Sequence, residues 1–365
     1  MASHRRTEGE AAPVAIILDS TALRSHEKRL NLAPLAMLAK LAPKAGLVIR
    51  LPFVVLVELA RGGADEIERH AEAIGRAARA YKQIALDAPT WPHPDRKTAT
   101  QAIEKAIHDA AKGANFGTLN VPSVDHEDLL RREFYYGKPF KADGTGYRDA
   151  LIWHTVLEYA EDEEPETIYF VTANKWDFAG NDGALDPVLA AEAEKAGGRI
   201  VLVKDVHALI RDHIASMLKT VDQALGKSIK DVFPNAAAAI DKKLNEHLDG
   251  VTTLGELGDE APDDEIIERG TPELREITWA RELENGSILV ETKARMHIVG
   301  RYDVGERGPP IYEHESGTIT FTIQAVVDKN GELASAQILP LRERYGPRRA
   351  RGAGEDQPLL ALRGR

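Results

Sequence analysis

The sequence predicts an α/β fold: a three-layer α/β/α unit around a central parallel sheet, followed by a smaller α+β domain rich in strands. Three observations carry that expectation. Short, continuously apolar runs such as Val14-Ala-Ile-Ile-Leu18 suit strands buried on both faces of a parallel sheet. Helix-length segments separate these runs, which is the βαβ pattern. After about residue 215 the pattern changes, and residues 276–341 alternate apolar and polar side chains, as half-exposed antiparallel strands do. Length agrees, because a single core rarely keeps growing beyond about 250–300 residues and this chain has 365.

Taken in order, residues 1–12 are polar and poor in large apolar groups, and are expected to be disordered. The strand at 14–18 leads to a helix at 31–43 and a strand at 47–51. Pro52 interrupts the pattern before a helix containing Glu58. Residues 65–85, 96–114 and 126–135 carry helical spacing and make a mostly helical insertion at about 64–140. A helix at 147–159, a strand at 167–172, a helix at 187–196 and a strand at 199–204 complete a first domain set at 13–215. The second domain, 220–342, opens with a helix at 221–248 and an acidic, turn-rich linker at 250–272. Strands at 287–299 and 318–327 follow, and Asp328-Lys-Asn330-Gly331 signals a hairpin turn. The Arg-, Gly- and Pro-rich tail at 343–365 is again expected to be disordered.

Composition narrows the chemistry. The absence of cysteine excludes disulfides, thiolate metal sites and cysteine nucleophiles. The longest apolar stretch, 46–60, carries Arg50, Pro52 and Glu58 and falls short of the roughly 20 apolar residues a membrane span needs. His4-Arg5-Arg6 is followed by Glu8 and Glu10, which does not fit a signal peptide. A cytoplasmic protein with no membrane partner is the expectation. A net charge of −11 argues against tight, non-specific binding to long duplexes, although bound metal and a local basic patch can offset it.

Four acidic residues stand in distinct contexts. Asp19 ends the first apolar run, and Glu58 lies within Pro52-Phe-Val-Val-Leu-Val-Glu58-Leu-Ala. Asp149 opens a predicted helix, and Asp177 closes Thr172-Ala-Asn174-Lys-Trp-Asp177-Phe178. Carboxylates gathered at strand ends and first helical turns can bind Mg²⁺ or Mn²⁺, which prefer oxygen ligands. Ordinary structural roles compete: Asp19 and Asp149 also suit helix caps, and amphipathic spacing can point Glu58 outward. In an open parallel sheet the ligand site lies beyond the carboxyl ends of the strands, where Asp19 and the 172–177 segment fall.

The order and flanking residues of these acids resemble the PIN-domain nuclease family over about residues 13–215. The matching segments are Asp19-Ser20-Thr21, Glu58 after Pro52, Asp149 before an apolar helix, and Thr172-Ala-Asn174-Lys-Trp-Asp177-Phe178. The resemblance implies a divalent-metal ribonuclease with Asp19, Glu58, Asp149 and Asp177 as metal ligands, Thr172 and Asn174 assisting, and Mg²⁺ or Mn²⁺ as cofactor. Single-stranded RNA is the implied partner; a homo-oligomer and a protein partner or inhibitor are compatible with it.

Ser20 and the cations Arg131, Arg132, Lys138, Lys141 and Arg148 are candidates for substrate contact. The cations interleave with Phe134, Tyr135, Tyr136 and Phe140, a mixture suited to single strands, but a solvated helix-to-loop segment reads equally well. Tyr147, Trp153 and Trp176 read as core residues rather than stacking groups. His126, His154, His207 and His213 lack metal-ligand spacing. Two other functions compete. One is a haloacid-dehalogenase-like phosphatase with Asp19 as nucleophile, although Thr21 stands where such enzymes carry a second Asp. The other is a PIN-like scaffold that binds protein partners without catalysis.

Overall fold

The structure is a computed structural model that describes residues 14–24, 30–83, 94–249, 251, 265–283, 286–303 and 312–341. The disorder expected at 1–12 and 343–365 lies outside these residues. Strand β1 (Val14–Leu18) and helix α1 (Ala33–Leu41) lead into β2 (Leu47–Pro52). Helices α2 (Phe53–Gln83) and α3 (Arg96–Ala110) then precede β3 (Phe116–Leu119). Next come α4 (His126–Phe134), α5 (Tyr147–Glu163), β4 (Thr167–Val171), α6 (Lys175–Phe178), α7 (Pro187–Lys195) and β5 (Ile200–Val203). The five strands form one parallel sheet in the order β3-β2-β1-β4-β5. Helices flank it, giving the expected α/β/α unit.

The strands are buried because both faces are covered: Ile16, Ile17, Leu18, Ile168, Phe170 and Val171 are fully inaccessible. This explains why they read as apolar runs rather than alternating ones. The chain runs from β1 outward to β2 and β3 on one side, then returns to β4 and β5 on the other. The order therefore reverses between β1 and β4, the place where open α/β sheets bind ligands.

One expectation about the insertion needs correction. The helix expected at 65–85 is the far part of α2, which begins directly after Pro52. Proline ends the strand at a position where it costs the helix nothing. Midway, Gly63 lets α3 approach closely: a Cβ there would stand 2.6 Å from Ile103 Cδ1. The insertion also contributes β3, which adds to the sheet edge. Four residues interrupted by Gly117 are too short to show a period.

The second unit begins with β6 (Lys219–Thr220); α8 (Val206–Ala208), continued by helical turns over Leu209–Ile214 and Ala215–Met217, links it to β5. Helices α9 (Ile229–Val232) and α10 (Pro234–Leu248) follow, then β7 (Glu265–Arg269), β8 (Glu273–Glu282), β9 (Ile288–Asp303), β10 (Tyr312–Val327) and β11 (Leu333–Leu341). The helix expected at 221–248 is thus broken. Pro234 cannot donate a backbone hydrogen bond, so it starts α10 instead of lying within a longer helix. The expected linker at 250–272 contains β7, which pairs with β9; residues 250 and 252–264 lie outside the described residues.

The sheet order is β11-β10-β9-β8-β6, antiparallel throughout. One face packs on α10 through Ile240, Leu244, Phe321 and Ile323. The other shares the first core through Leu283, Leu289 and Val326, and α1 lies against β11 and β10. Across this junction His207 Nε2 lies 2.9 Å from the buried Glu291 Oε2.

Gly146 sets the start of α5. It has φ of 118°, and a Cβ there would lie 2.6 Å from the Pro139 carbonyl oxygen and 2.8 Å from Phe140 Cα. Gly146→Ala is expected to cost about 2 kcal/mol or more, combining backbone strain with the clash. Urea denaturation checks this, and an unchanged midpoint would contradict it.

Candidate active site

The site grows out of the β1–β4 pairing. Leu18 lies opposite Val171, and one residue further on the Asp19 N–H still donates to the Val171 carbonyl at 3.0 Å. Asp19 is thereby held beside Thr172, the residue that follows β4. Its carboxylate is 2% exposed and fully engaged. Oδ1 accepts from the Ser20 N–H at 2.6 Å, and Oδ2 accepts from the hydroxyls of Thr21 and Thr172, both at 2.7 Å. Those hydroxyls in turn accept backbone N–H groups: Ala173 to Thr21 at 2.9 Å and Asn174 to Thr172 at 3.0 Å. A buried carboxylate is tolerable when hydrogen-bonded in this way. Asp19 also caps the short 3₁₀ turn Ser20–Leu23, so its capping role is real.

The chain of contacts continues through Asn174. Its Nδ2 donates to Asp177 Oδ2 at 2.6 Å and to Asp149 Oδ1 at 3.3 Å. Below these residues, three aromatics lock the elements that carry them. Trp153, one turn after Asp149, packs on Phe170 of β4 and on Phe178, the neighbour of Asp177, with centroids 6.4 and 6.5 Å away. Phe170 and Phe178 meet edge-on at 5.0 Å. Side-chain position above the sheet is thus fixed by packing beneath it.

Glu58 is not turned outward. Its side chain is 14% exposed and pairs with Arg148 at 2.5 Å, which joins α2 to the first turn of α5. Asp177 is 2% exposed and pairs with Lys141 at 2.9 Å; this contact raises the Lys141 pKa and keeps its ammonium charged. Asp149 has neither the ion pair of Glu58 and Asp177 nor the three hydrogen bonds of Asp19. Burial, followed by the charges of Asp177, Asp19 and Glu58, pushes its pKa up to about 6, with Lys141 pulling against them. The helix N-terminus favours the ionised form, but burial and like charge outweigh it.

Hydrogen bonds and one ion pair therefore link Asp19, Asp149 and Asp177 with Thr172, Asn174 and Lys141, while Glu58 pairs with Arg148 and acts on Asp149 through its charge. Thr21 belongs to the same network and was missed. Its signal lay in the sequence, since a hydroxyl two residues after an acid can fold back on it. The donors are all oxygens, which suits Mg²⁺ or Mn²⁺. Among the described residues, however, no three His, Cys, Asp or Glu side chains are arranged to hold a metal ion. The Asn174 amide, the two ion pairs and the hydroxyls on Asp19 now satisfy the carboxylates.

The remaining cations serve other ends. Arg132 is 13% exposed and binds Glu192 Oε2 at 3.0 Å and the Lys138 carbonyl at 2.6 Å. Glu192 also accepts from the Trp153 indole at 2.7 Å. Lys138 donates to the Ala179 carbonyl at 2.7 Å and pairs with Asp186 at 3.2 Å. Both cations thus fasten the loop before α5 instead of waiting for substrate. Arg131 pairs with Glu127 on an open helix face. Ser20 is buried at 6% exposure, and it is its backbone N–H that engages Asp19. Phe140 is buried, whereas Phe134, Tyr135 and Tyr136 are exposed. Trp153 is core as expected, but Tyr147 and Trp176 are not.

The family model of the PIN domain matches residues 16–178, from within β1 to the end of α6. That span contains all four acids, and it is similar to a PIN domain. PIN domains are generally nucleases that use divalent metals. No curated protein matches the chain. Among the described residues no helix is long and apolar enough to cross a membrane.

Two predictions follow from this electrostatic arrangement. In metal-free buffer at neutral pH, Asp149→Asn is expected to stabilise the fold by about 1–2 kcal/mol, allowing for solvent screening. Because the folded value of about 6 lies above the ordinary 3.8, the penalty is absent below the lower value and complete above the upper one. The advantage of the variant therefore shrinks as pH falls through that window; a constant difference in thermal midpoint would contradict the assignment. Arg132→Ala should cost about 1–3 kcal/mol because Glu192 loses its charged partner, whereas Arg131→Ala should change stability by less than about 0.5 kcal/mol. Paired urea titrations check the contrast.

Proposed function

We propose that this protein is a divalent-metal-dependent ribonuclease that hydrolyses phosphodiester bonds at the β1–β4 switch point. The observation that carries the reading is the continuous network from Asp19 through Thr172 and Asn174 to Asp149 and Asp177. Asp19, Glu58, Asp149 and Asp177 would hold Mg²⁺ or Mn²⁺. When bound, such an ion supplies a water activated at neutral pH and neutralises charge developing on the scissile phosphate.

The chain's own groups do the positioning. Ser20, Thr21 and Thr172 fix the orientation of Asp19, and Asn174 holds Asp149 and Asp177 in a common place. Lys141 and Arg148 neutralise two of the acids and lie where a phosphate would come near them. The family resemblance favours RNA, and a cytoplasmic setting fits a chain without cysteine.

The phosphatase reading fits less well. A nucleophilic Asp19 needs an unencumbered oxygen, yet Oδ2 carries two hydroxyl donors, and Thr21 is bonded to that same carboxylate. A non-catalytic scaffold would gain nothing from like charges buried together, which cost stability unless they have a use.

Purified protein incubated with single-stranded RNA, single-stranded DNA and a generic phosphate ester should cleave RNA with Mn²⁺ and not with EDTA. Asp19→Asn and Asp149→Asn should each lose roughly a hundredfold in rate or more while remaining folded. Full activity in both variants would sink the metal mechanism. Turnover of the ester alone would move the assignment to the phosphatase class.

A further inference from the structure

Beside the acidic pocket two large aromatic side chains are left in water: Trp176 is 79% exposed and Tyr147 49% exposed. Rings of this size are ordinarily buried or partnered, as Trp153 is here. Their placement is tied to the site. Trp176 directly precedes Asp177, which is 2% exposed, and Tyr147 stands two residues before Asp149. Asn174 Nδ2 bonds both of those acids, so the start of α5 and the turn of α6 meet at one rim. The Lys175 ammonium lies 5.5 Å from the centre of the Trp176 ring, leaving a cation beside the aromatic face.

We propose that Trp176 and Tyr147 are base-stacking residues that admit an unpaired nucleotide to the pocket and so select single strands over duplex. The proposal rests on the nuclease reading above and adds the source of its specificity. Any base can stack on an aromatic ring, so this recognition tolerates sequence. A base within a duplex has both faces covered by its neighbours and must be unstacked before it can reach Trp176. The net charge of −11 points the same way. Because 58 acidic residues outnumber 47 Lys and Arg, stacking must carry a large share of affinity, and the salt dependence of binding is then shallow.

The test uses the full chain, a short single-stranded RNA and the matching duplex, in EDTA to prevent turnover. Binding is followed by tryptophan fluorescence and by a labelled strand, with circular dichroism to confirm folding. The single strand should quench fluorescence that is missing in Trp176→Leu, and the duplex should not. Trp176→Leu and Tyr147→Leu should each weaken single-strand binding roughly tenfold or more and erase the preference over duplex, and Trp176→Phe should recover most of it. With Mn²⁺ present, the loss should appear mainly as a raised KM. If the wild-type chain cleaves RNA but both leucine variants keep its single-strand affinity and preference, the stacking role is overturned while the nuclease reading stands. If the wild-type chain neither binds nor cleaves any nucleic acid, both fall together.

Discussion

The parallel pairing of β1 with β4 is the contact on which the site depends. It sets Leu18 opposite Val171, and the ladder continues one step further through the Asp19 N–H. That single extra bond decides that the first acid after β1 and the first hydroxyl after β4 become neighbours. Had the chain placed β2 between these strands, Asp19 and Thr172 would stand at least two strand spacings of about 4.8 Å apart, too far for a hydrogen bond. Because strand order reverses here, the helices on the two sides diverge and leave room above the carboxyl ends. Glu58, Asp149 and Asp177 then arrive on α2, α5 and α6, each fixed by packing below.

Gathering four carboxylates in one place is unfavourable in the free protein, and the surrounding residues show how that cost is limited. Asp19 has three hydrogen-bond donors, Asp177 an ammonium and an amide, and Glu58 a guanidinium. Asp149 receives one long hydrogen bond and shows the strain as a raised pKa. Among the described residues no three His, Cys, Asp or Glu side chains are arranged to hold a metal ion, and the carboxylates are met instead by hydroxyls, an amide and two cations. On the proposed metal reading, an ion would compete with Lys141 for Asp177 and with Arg148 for Glu58.

Much of this was legible in the sequence because buried parallel strands must be apolar throughout and site acids must follow them. The Val14–Leu18 run, the Thr172–Phe178 segment and the four acids could be read for that reason. What could not be read depends on distance in space. Arg132 and Lys138 looked like free cations because Glu192 and Asp186, their partners, lie far away in sequence, 60 residues on in the case of Arg132. Trp176 and Tyr147 looked like core because composition cannot tell a ring beneath the sheet from one at its rim. Thr21 was visible, but its role needs Thr172 beside it. Strand β3 owes its existence to the open edge of β2, since four residues with a glycine carry too little periodicity.

Titration of Mn²⁺ into the nucleic-acid-free protein by calorimetry tests whether these four acids form the one divalent-metal site proposed above. The account predicts that the wild-type chain binds Mn²⁺, and that Asp19→Asn, Asp149→Asn and Asp177→Asn each weaken binding roughly tenfold or more. Absence of binding in the wild type, or affinity unchanged in all three folded variants, would contradict it.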